Sequence, residues 1–520
     1  MPRRPPRTPP TEPPRPGRVG AGRWWGAVLL WVGFAAAPPP ISAQAIVSAS
    51  GGGVGEWVYD SLAFRRLADS AQRAVVVTGI LVEGNRKTRR DVLLREMSVG
   101  VGDTVALATL TEVLDRQRRL LLNTNLFSEV AVVLGRVDYA TASVTLRAVV
   151  RERWYVYPGV TFDLADRNFN VWWTEQNRSL DRVNYGVKLR HANVSGRADR
   201  LTLFVQAGYT RKLELRYDNP YVNRAKTLGF EVGVLVDRNR EWRAFTEGGR
   251  PEFFDLDTAS LLRRRRFRGA LTYRPGLFAN HALRLERAEN RVDTVISEGV
   301  NPNFFGDGRP SQQFWGLKYS FTHDRRDVRP FPLTGHFLKL EAEKLGLGNE
   351  DVDRFNLSAR YARFLPLGRR GAGSRFNLAL DAKAKTDLAR TLPPYFNLRG
   401  LGYDEAFLRG YQYYVVDGLD YAFVKSTLRA RLFSTTLHVP KAPVRRLRNI
   451  PVAAYLGVHG DVGGAHDPFD TDGNVLANRV LTSYGVGLYG VFYYGKTLRL
   501  ELSRNDLGEW GGFLGYALGF

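Results

Sequence analysis

The sequence predicts a mainly β protein: a 16-stranded antiparallel transmembrane β-barrel preceded by one small α/β domain of order β-α-α-β-β. Three observations predict it. The composition joins 44% hydrophobic and 12% aromatic residues to 52 glycines, a mixture that favours strands and tight turns over helices. From Trp154 onward the hydrophobic pattern alternates with period two in segments of about ten residues. The last segment carries Leu514, Tyr516, Leu518 and Phe520, an alternating apolar strand with a terminal aromatic residue of a kind soluble proteins rarely leave unprotected.

Residues 1–45 stand outside this fold. They hold eleven of the 26 prolines, most in an arginine-containing run up to Gly22 that cannot sustain helix or sheet ladders. Arg23, the apolar stretch Trp24 to Ala37 and Ala43-Gln44-Ala45 then read as the n-region, h-region and cleavage site of an export signal. That stretch is shorter than the ~20 residues a helical membrane span requires, and no later stretch reaches 18 uninterrupted apolar residues. Residues 46–74 read as a linker, rich in Ser, Ala and Gly from Ser48 to Gly55, with a short helical stretch from Tyr59 to Ala71.

The small domain occupies 75–152. Val75 to Val82 predicts a strand, Thr88 to Glu96 and Leu107 to Asn123 have helical spacing, and Ser128 to Leu134 and Ser143 to Val150 form two strands around a turn at Asp138. In the second helix Leu110, Val113, Leu114, Leu120 and Leu121 make an apolar stripe, with Asp115, Arg116 and Arg118 on the other side.

The barrel occupies 154–520. Leu228, Phe230, Val232, Val234 and Val236 oppose Gly229, Glu231 and Gly233, and Phe376, Leu378, Leu380, Ala382 and Ala384 oppose Arg375, Asn377, Asp381, Lys383 and Lys385. A soluble sandwich also alternates, so this pattern leaves sandwich and barrel open. Sixteen such segments, near 154, 183, 199, 211, 226, 265, 279, 313, 335, 353, 374, 421, 452, 481, 496 and 512, give the even number of a single-chain bacterial barrel. Their connections alternate between short turns, such as Val194 to Ala198, and long loops, such as Arg238 to Arg264, as periplasmic turns and extracellular loops do. Thr435 to Ile450 is long for a periplasmic turn.

Several function classes fall away. The chain has no cysteine, hence no disulfide scaffold, CxxC redox centre or thiolate zinc site. It has no G-x-S-x-G, H-E-x-x-H or Walker motif, and its seven histidines lack metal-ligand spacing. Asp467, Asp470, Asp472, Gly473 and Asn474 miss the calcium-loop register and read as an extracellular turn. The expectation is a protein that is not an enzyme, with no cofactor and no metal. The net charge is +23, and Arg263 to Arg266 are four consecutive arginines; in an exported barrel they read as a charged flank at the outer-leaflet level, where lipid phosphate contact is open to them, and not as a nucleic-acid site.

A signal peptide, a β-α-α-β-β domain and sixteen strands together resemble the BamA/TamA-type outer-membrane assembly factors, whose periplasmic repeat is called POTRA. Leu408-Arg409-Gly410-Tyr411 is similar to the family's (V/I)RG(F/Y) motif and lies in the long loop Asp387 to Asp420, where the family places its sixth extracellular loop. Asp324, Arg326, Asp327, Pro332 and Gly335 are similar to the family's segment in which D-x-R-D is followed by P-x-x-G, and Gly460-Asp461-Val462-Gly463 to the aspartate-containing strand that faces the loop motif. Gly515, Leu518 and Phe520 have the spacing of the family's C-terminal recognition signal, although Phe513 stands where a polar residue is usual. One POTRA is fewer than the five, three or two repeats of BamA homologues, TamA-like proteins and two-partner secretion transporters.

The resemblance implies a loop folded into the lumen, where Arg409 requires a carboxylate; Asp461 is the first candidate, with Glu405, Asp417 and Glu501 as others. It implies an assembly or insertion factor in the bacterial outer membrane, POTRA in the periplasm, that receives unfolded barrel clients and templates their insertion at a seam between first and last strands. Pro158-Gly159 and Gly508, Gly511, Gly512, Gly515 and Gly519 weaken those two strand regions. A two-partner-type secretion transporter and a passive channel are the alternatives. Implied partners are unfolded outer-membrane proteins or exported polypeptides, outer-membrane lipids, and periplasmic chaperones or accessory lipoproteins, with no nucleic acid.

Overall fold

The computed structural model describes residues 73–164, 178–256, 260–348, 351–368, 374–403, 405–438, 449–469, 473–492 and 496–517. The export signal, nearly all of the linker, Leu518 and Phe520 lie outside the described residues.

The first domain has strands β1 (Ala74–Glu83), β2 (Thr104–Ala106), β3 (Phe127–Asp138) and β4 (Ser143–Glu152), with helices α1 (Arg90–Arg95) and α2 (Leu110–Asn123). Its sheet runs β2-β1-β4-β3, with β1 parallel to β4 and the other pairs antiparallel. Strand β2 is an addition to the expected order, since three residues are too few to show alternation. Asp138 makes the predicted turn, its carboxylate accepting from the backbone N–H of Ala140 at 2.9 Å. Leu110, Leu114 and Leu121 of α2 are buried against Val77, Val130, Leu146 and Ala148. The buried stripe also contains Gln117, which fits because its amide oxygen accepts from the backbone N–H of Ser98 at 2.7 Å.

The second domain is one antiparallel sheet of 16 strands, β5–β9 and β12–β22, each paired with the next along the chain. All sixteen expected segments are strands, from β5 (Val156–Leu164) to β22 (Trp510–Ala517). The one interruption lies between β9 (Leu228–Asn239) and β12 (Leu262–Tyr273), where a separate hairpin of β10 (Glu241–Glu247) and β11 (Arg250–Asp255) stands in a stretch expected to be loop.

The sheet's polarity settles the sandwich-or-barrel ambiguity. Val160, Leu271 and Leu514 leave 76%, 68% and 68% of their surfaces uncovered, whereas the alternate positions form cross-strand ion pairs such as Arg264–Asp237 (2.8 Å), Arg268–Glu214 (3.0 Å) and Arg360–Asp381 (2.8 Å). A water-soluble sheet would bury its apolar face and expose its charges; a barrel in lipid does the reverse.

Among the described residues no ladder joins β5 to β22, so the sheet order has two free ends. The longest of the described strands are β18 (Asp420–His438) and β19 (Asn449–His466), with 19 and 18 residues.

Candidate functional site

The chain between β17 (Phe376–Asp387) and β18 folds onto the inner face of the sheet, where Leu401, Leu408, Tyr411 and Val416 pack with Phe423, Ala465 and Leu481. At the centre is Arg409. Its Nε donates to Asp461 of β19 at 2.9 Å, its Nη2 to the other Asp461 oxygen, and its backbone N–H to the same carboxylate at 3.1 Å. Nη1 donates to Thr427 Oγ1 and Nη2 to the Ser426 carbonyl, both at 3.0 Å, so β18 holds the far side of the guanidinium. Glu501, on β21 (Lys496–Asn505), stands 3.7 Å from Nη1. The side chains of Arg409 and Asp461 are 8% and 0% exposed, so this is a desolvated, two-point pair.

The flanking motif residues complete the clasp. Gly410 has φ +84°, and a Cβ there would stand 3.3 Å from that of Ser483 and 3.4 Å from that of Asn505, so glycine supplies both the turn and the close approach. Its carbonyl accepts from Asn505 Nδ2 at 3.0 Å, and the Tyr411 hydroxyl donates to the Thr482 carbonyl at 3.1 Å and contacts Asp506. The other candidate carboxylates serve elsewhere: Asp417 accepts from Thr246 of β10 at 2.5 Å and from Tyr403, and Glu405 pairs with Arg360 at 3.0 Å.

The segment from Asp324 to Gly335 joins β14 (Ser311–Asp324) to β15 (Gly335–Leu345) at the other end of the sheet. Asp324 takes both arms of Arg326 at 2.8 Å, and Asp327 accepts from the Leu333 N–H at 3.1 Å. The turn also folds inward: the Pro332 carbonyl accepts from Arg429 of β18 at 3.0 Å, and Phe331 packs on Tyr455 and on Tyr489 of β20 (Leu481–Phe492). The Tyr489 hydroxyl in turn donates to Glu501 at 2.9 Å. Tyr489 thus links the inward turn to the loop motif. It was not singled out from the sequence, and its only signal there is its place on the inward phase of the alternation. Gly515 lies opposite Arg499, and Phe513 opposite Glu501, in the ladder of the last two strands.

A third cluster joins the two domains. Glu96, at the end of α1, accepts from both Arg274 terminal nitrogens at 2.6 and 2.9 Å and contacts the Tyr221 hydroxyl, while the Tyr221 ring lies in the first domain's core. Arg95 donates to the carbonyls of Lys226, Arg274 and Gly276 at 3.2, 2.8 and 3.0 Å, and Asp91 pairs with Lys226 at 2.6 Å. Burial pushes the Glu96 carboxyl up, but the bonds and charge of Arg274 outweigh it and hold the group below its ordinary range. Two further contacts tie α1's entry to the turn after β6 (Val183–Ala192): Asn193 Nδ2 donates to Thr88 Oγ1 at 2.9 Å and the Arg89 N–H to the Gly196 carbonyl at 3.0 Å.

Among the described residues no group of three or more His, Cys, Asp or Glu could hold a metal ion. What the arrangement can do is mechanical: clasp a loop, hold a turn, present strand ends and dock a domain.

The family model for the Omp85 superfamily domain matches residues 193–414, and that for POTRA, described as surface antigen variable number repeat, matches residues 75–153. No curated protein matches the sequence. Among solved structures the chain is similar to BamA from Haemophilus ducreyi lacking POTRA domains 1-3, with 15% identity over 86% of this chain and 84% of that one and a TM-score of 0.47. It is similar also to CdiB from Acinetobacter baumannii (14% identity, 85% and 73% covered, TM-score 0.46) and to CdiB from Escherichia coli (12%, 86% and 90%, 0.43). With a POTRA match at residues 75–153 leading into an Omp85 domain match and a 16-stranded antiparallel sheet, the chain belongs to the Omp85 superfamily.

Proposed function

We propose that this protein is an outer-membrane assembly factor, not an enzyme, that receives unfolded barrel clients in the periplasm and templates their insertion at the seam between β5 and β22. The observation that carries this reading is the sheet's pair of free ends. A client strand cannot enter lipid with bare N–H and C=O groups, each of which costs several kcal/mol. A free edge offers ladder bonds in their place. Pro158, which has no N–H to donate, and Gly511, Gly512 and Gly515 keep that edge weakly committed to itself. The POTRA edge strands β2 and β3 are a second place where an extended client can add.

The test has two parts. Depletion followed by an outer-membrane proteome lowers many barrel proteins together if the protein is a general insertase, one exported partner if it is a dedicated secretion transporter, and solute uptake alone if it is a passive channel. Cysteine pairs placed between Val156–Phe162 and Gly512–Gly515 then lock the seam on oxidation. Client assembly that continues in the fully cross-linked, folded protein removes lateral opening from the mechanism.

A further inference from the structure

Strand β12 contains five arginines, and the barrel treats them in two ways. Arg264, Arg266 and Arg268 face inward and have carboxylates: Asp237 at 2.8 Å, Glu286 at 3.4 Å and Glu214 at 3.0 Å. Arg263 and Arg265 face outward, and only Arg265 has an acidic neighbour, Glu289 at 4.0 Å. Arg263 lies directly opposite Arg238 of β9 and Arg291 of β13 (Ala279–Val292), and Arg238 lies directly opposite Arg211 of β8 (Thr210–Asn219). All four are exposed. Arg211, Arg238, Arg263 and Arg291 therefore form one row across four neighbouring strands, about 14 Å long at the usual strand spacing. Among the described residues none of the four has a carboxylate partner.

Like charges directly opposite one another destabilise a sheet, so four in register call for an anion from outside the chain. The row's height shows which kind. Further along the same outer face, after Leu213 on β8 and the Arg265–Glu289 pair on β12 and β13, come Leu215 and Phe267, with Arg287 and Trp315 alongside, and then Val232; Leu213, Leu215, Val232, Phe267 and Trp315 are all more than 40% exposed. An apolar band capped by tryptophan and then by cations is the profile of a bilayer's hydrocarbon edge meeting its headgroups.

We propose that Arg211, Arg238, Arg263 and Arg291 form a binding site for the phosphate of anionic lipid headgroups in the leaflet on the long-loop side. This rests on the reading of the barrel as a membrane protein. Guanidinium forks at strand spacing suit bidentate phosphate contact, and several phosphates can share the row. Each cation near an anionic surface contributes modestly and additively, so the row acts as a unit.

The test uses the full-length protein in detergent micelles, titrated with phosphatidylglycerol or phosphatidylcholine and read by native mass spectrometry. Wild type should retain phosphatidylglycerol in preference to phosphatidylcholine, with affinity about tenfold or more above that of the Arg211→Gln/Arg238→Gln/Arg263→Gln/Arg291→Gln variant. The Lys versions of the same four changes should fall between, keeping charge but losing the fork. Arg73→Gln/Arg86→Gln/Arg116→Gln/Arg136→Gln, an equal loss of charge from exposed POTRA positions, should bind like wild type. Equal retention by wild type and the barrel quadruple variant overturns the site, as does displacement of the lipid by inorganic phosphate at comparable concentration. Reconstitution into phosphatidylcholine vesicles, with heat-modified gel migration as the sign of a folded barrel, is run in parallel. A wild-type chain that does not insert defeats the membrane reading itself, whereas one that inserts without lipid preference defeats only the arginine site.

Discussion

The wall formed by β18 to β21 and the seam formed by β5 and β22 are built from the same alternating pattern, yet they are opposites. The wall has the longest strands, the buried Arg409–Asp461 pair, the inward loop and the inward turn. The seam has a proline, four glycines and no ladder among the described residues. The difference teaches that rigidity is placed where segments are held inside the barrel and withheld at the strands whose separation the proposed function requires.

The largest expected effect comes from breaking the wall. Arg409→Ala or Asp461→Ala leaves the other charge buried without its partner, at a cost of about 3 to 5 kcal/mol, and should release the loop. Limited proteolysis between Asp387 and Asp420 should become faster, and client assembly should fall while the barrel still inserts. The exchange Arg409→Glu with Asp461→Arg should recover more than either single change; strictly additive losses would show that the two residues do not act as a pair.

Next is the domain dock. Glu96→Gln removes the charge that Arg274 binds on both arms and should cost about 2 to 4 kcal/mol of docking, read as raised hydrogen exchange in α1. The pH dependence has a definite sign. Because the folded carboxyl sits below its ordinary value of 4.5, the Glu96 contribution is complete above that value and is lost as pH falls through the lower folded one. Docking should therefore be flat from neutral pH to about pH 5 and weaken only in stronger acid. Loosening that began near pH 6 would point to a histidine instead.

Smaller effects sharpen the comparison. Tyr489→Phe removes one hydrogen bond to Glu501, worth about 1 kcal/mol, and keeps the ring against Phe331, so the turn should stay packed while the loop loosens slightly. At the seam, Pro158→Val restores a backbone donor and should stabilise pairing by about 0.5 to 1 kcal/mol, slowing assembly without changing the barrel's heat-modified migration. An acceleration would contradict the view that the seam is kept weak.

How much of this was legible follows from the distance between partners. The sixteen barrel strands were readable because period two is local, and β9 and β12 kept their places even though a hairpin intervenes. That hairpin did have a signal: Gly248-Gly249, both at positive φ, between aromatic residues at Trp242, Phe245, Phe253 and Phe254, is the mark of a two-residue turn. Both Arg409 and Asp461 were named only through the family resemblance, because local alternation carries no information about which charged residues on two distant segments will meet. The link through Tyr489 and the dock through Glu96, Tyr221 and Arg274 had no local signature, because their partners are far apart in the chain and meet only once the sheet has curled.

The dock is weighted to one side. Most POTRA contacts fall on the turn after β6 and on those joining β8 to β9 and β12 to β13, in the half of the sheet that begins with β5, and one reaches the β14–β15 turn, where Asn123 Nδ2 donates to the Asp327 carbonyl at 3.2 Å. If the domain receives a polypeptide as proposed, it acts as a lever bolted mainly to one door jamb: torque on it passes chiefly to the first-strand half, while the β18–β21 wall is anchored by its own loop, so that a load on the domain becomes relative displacement of the two seam strands.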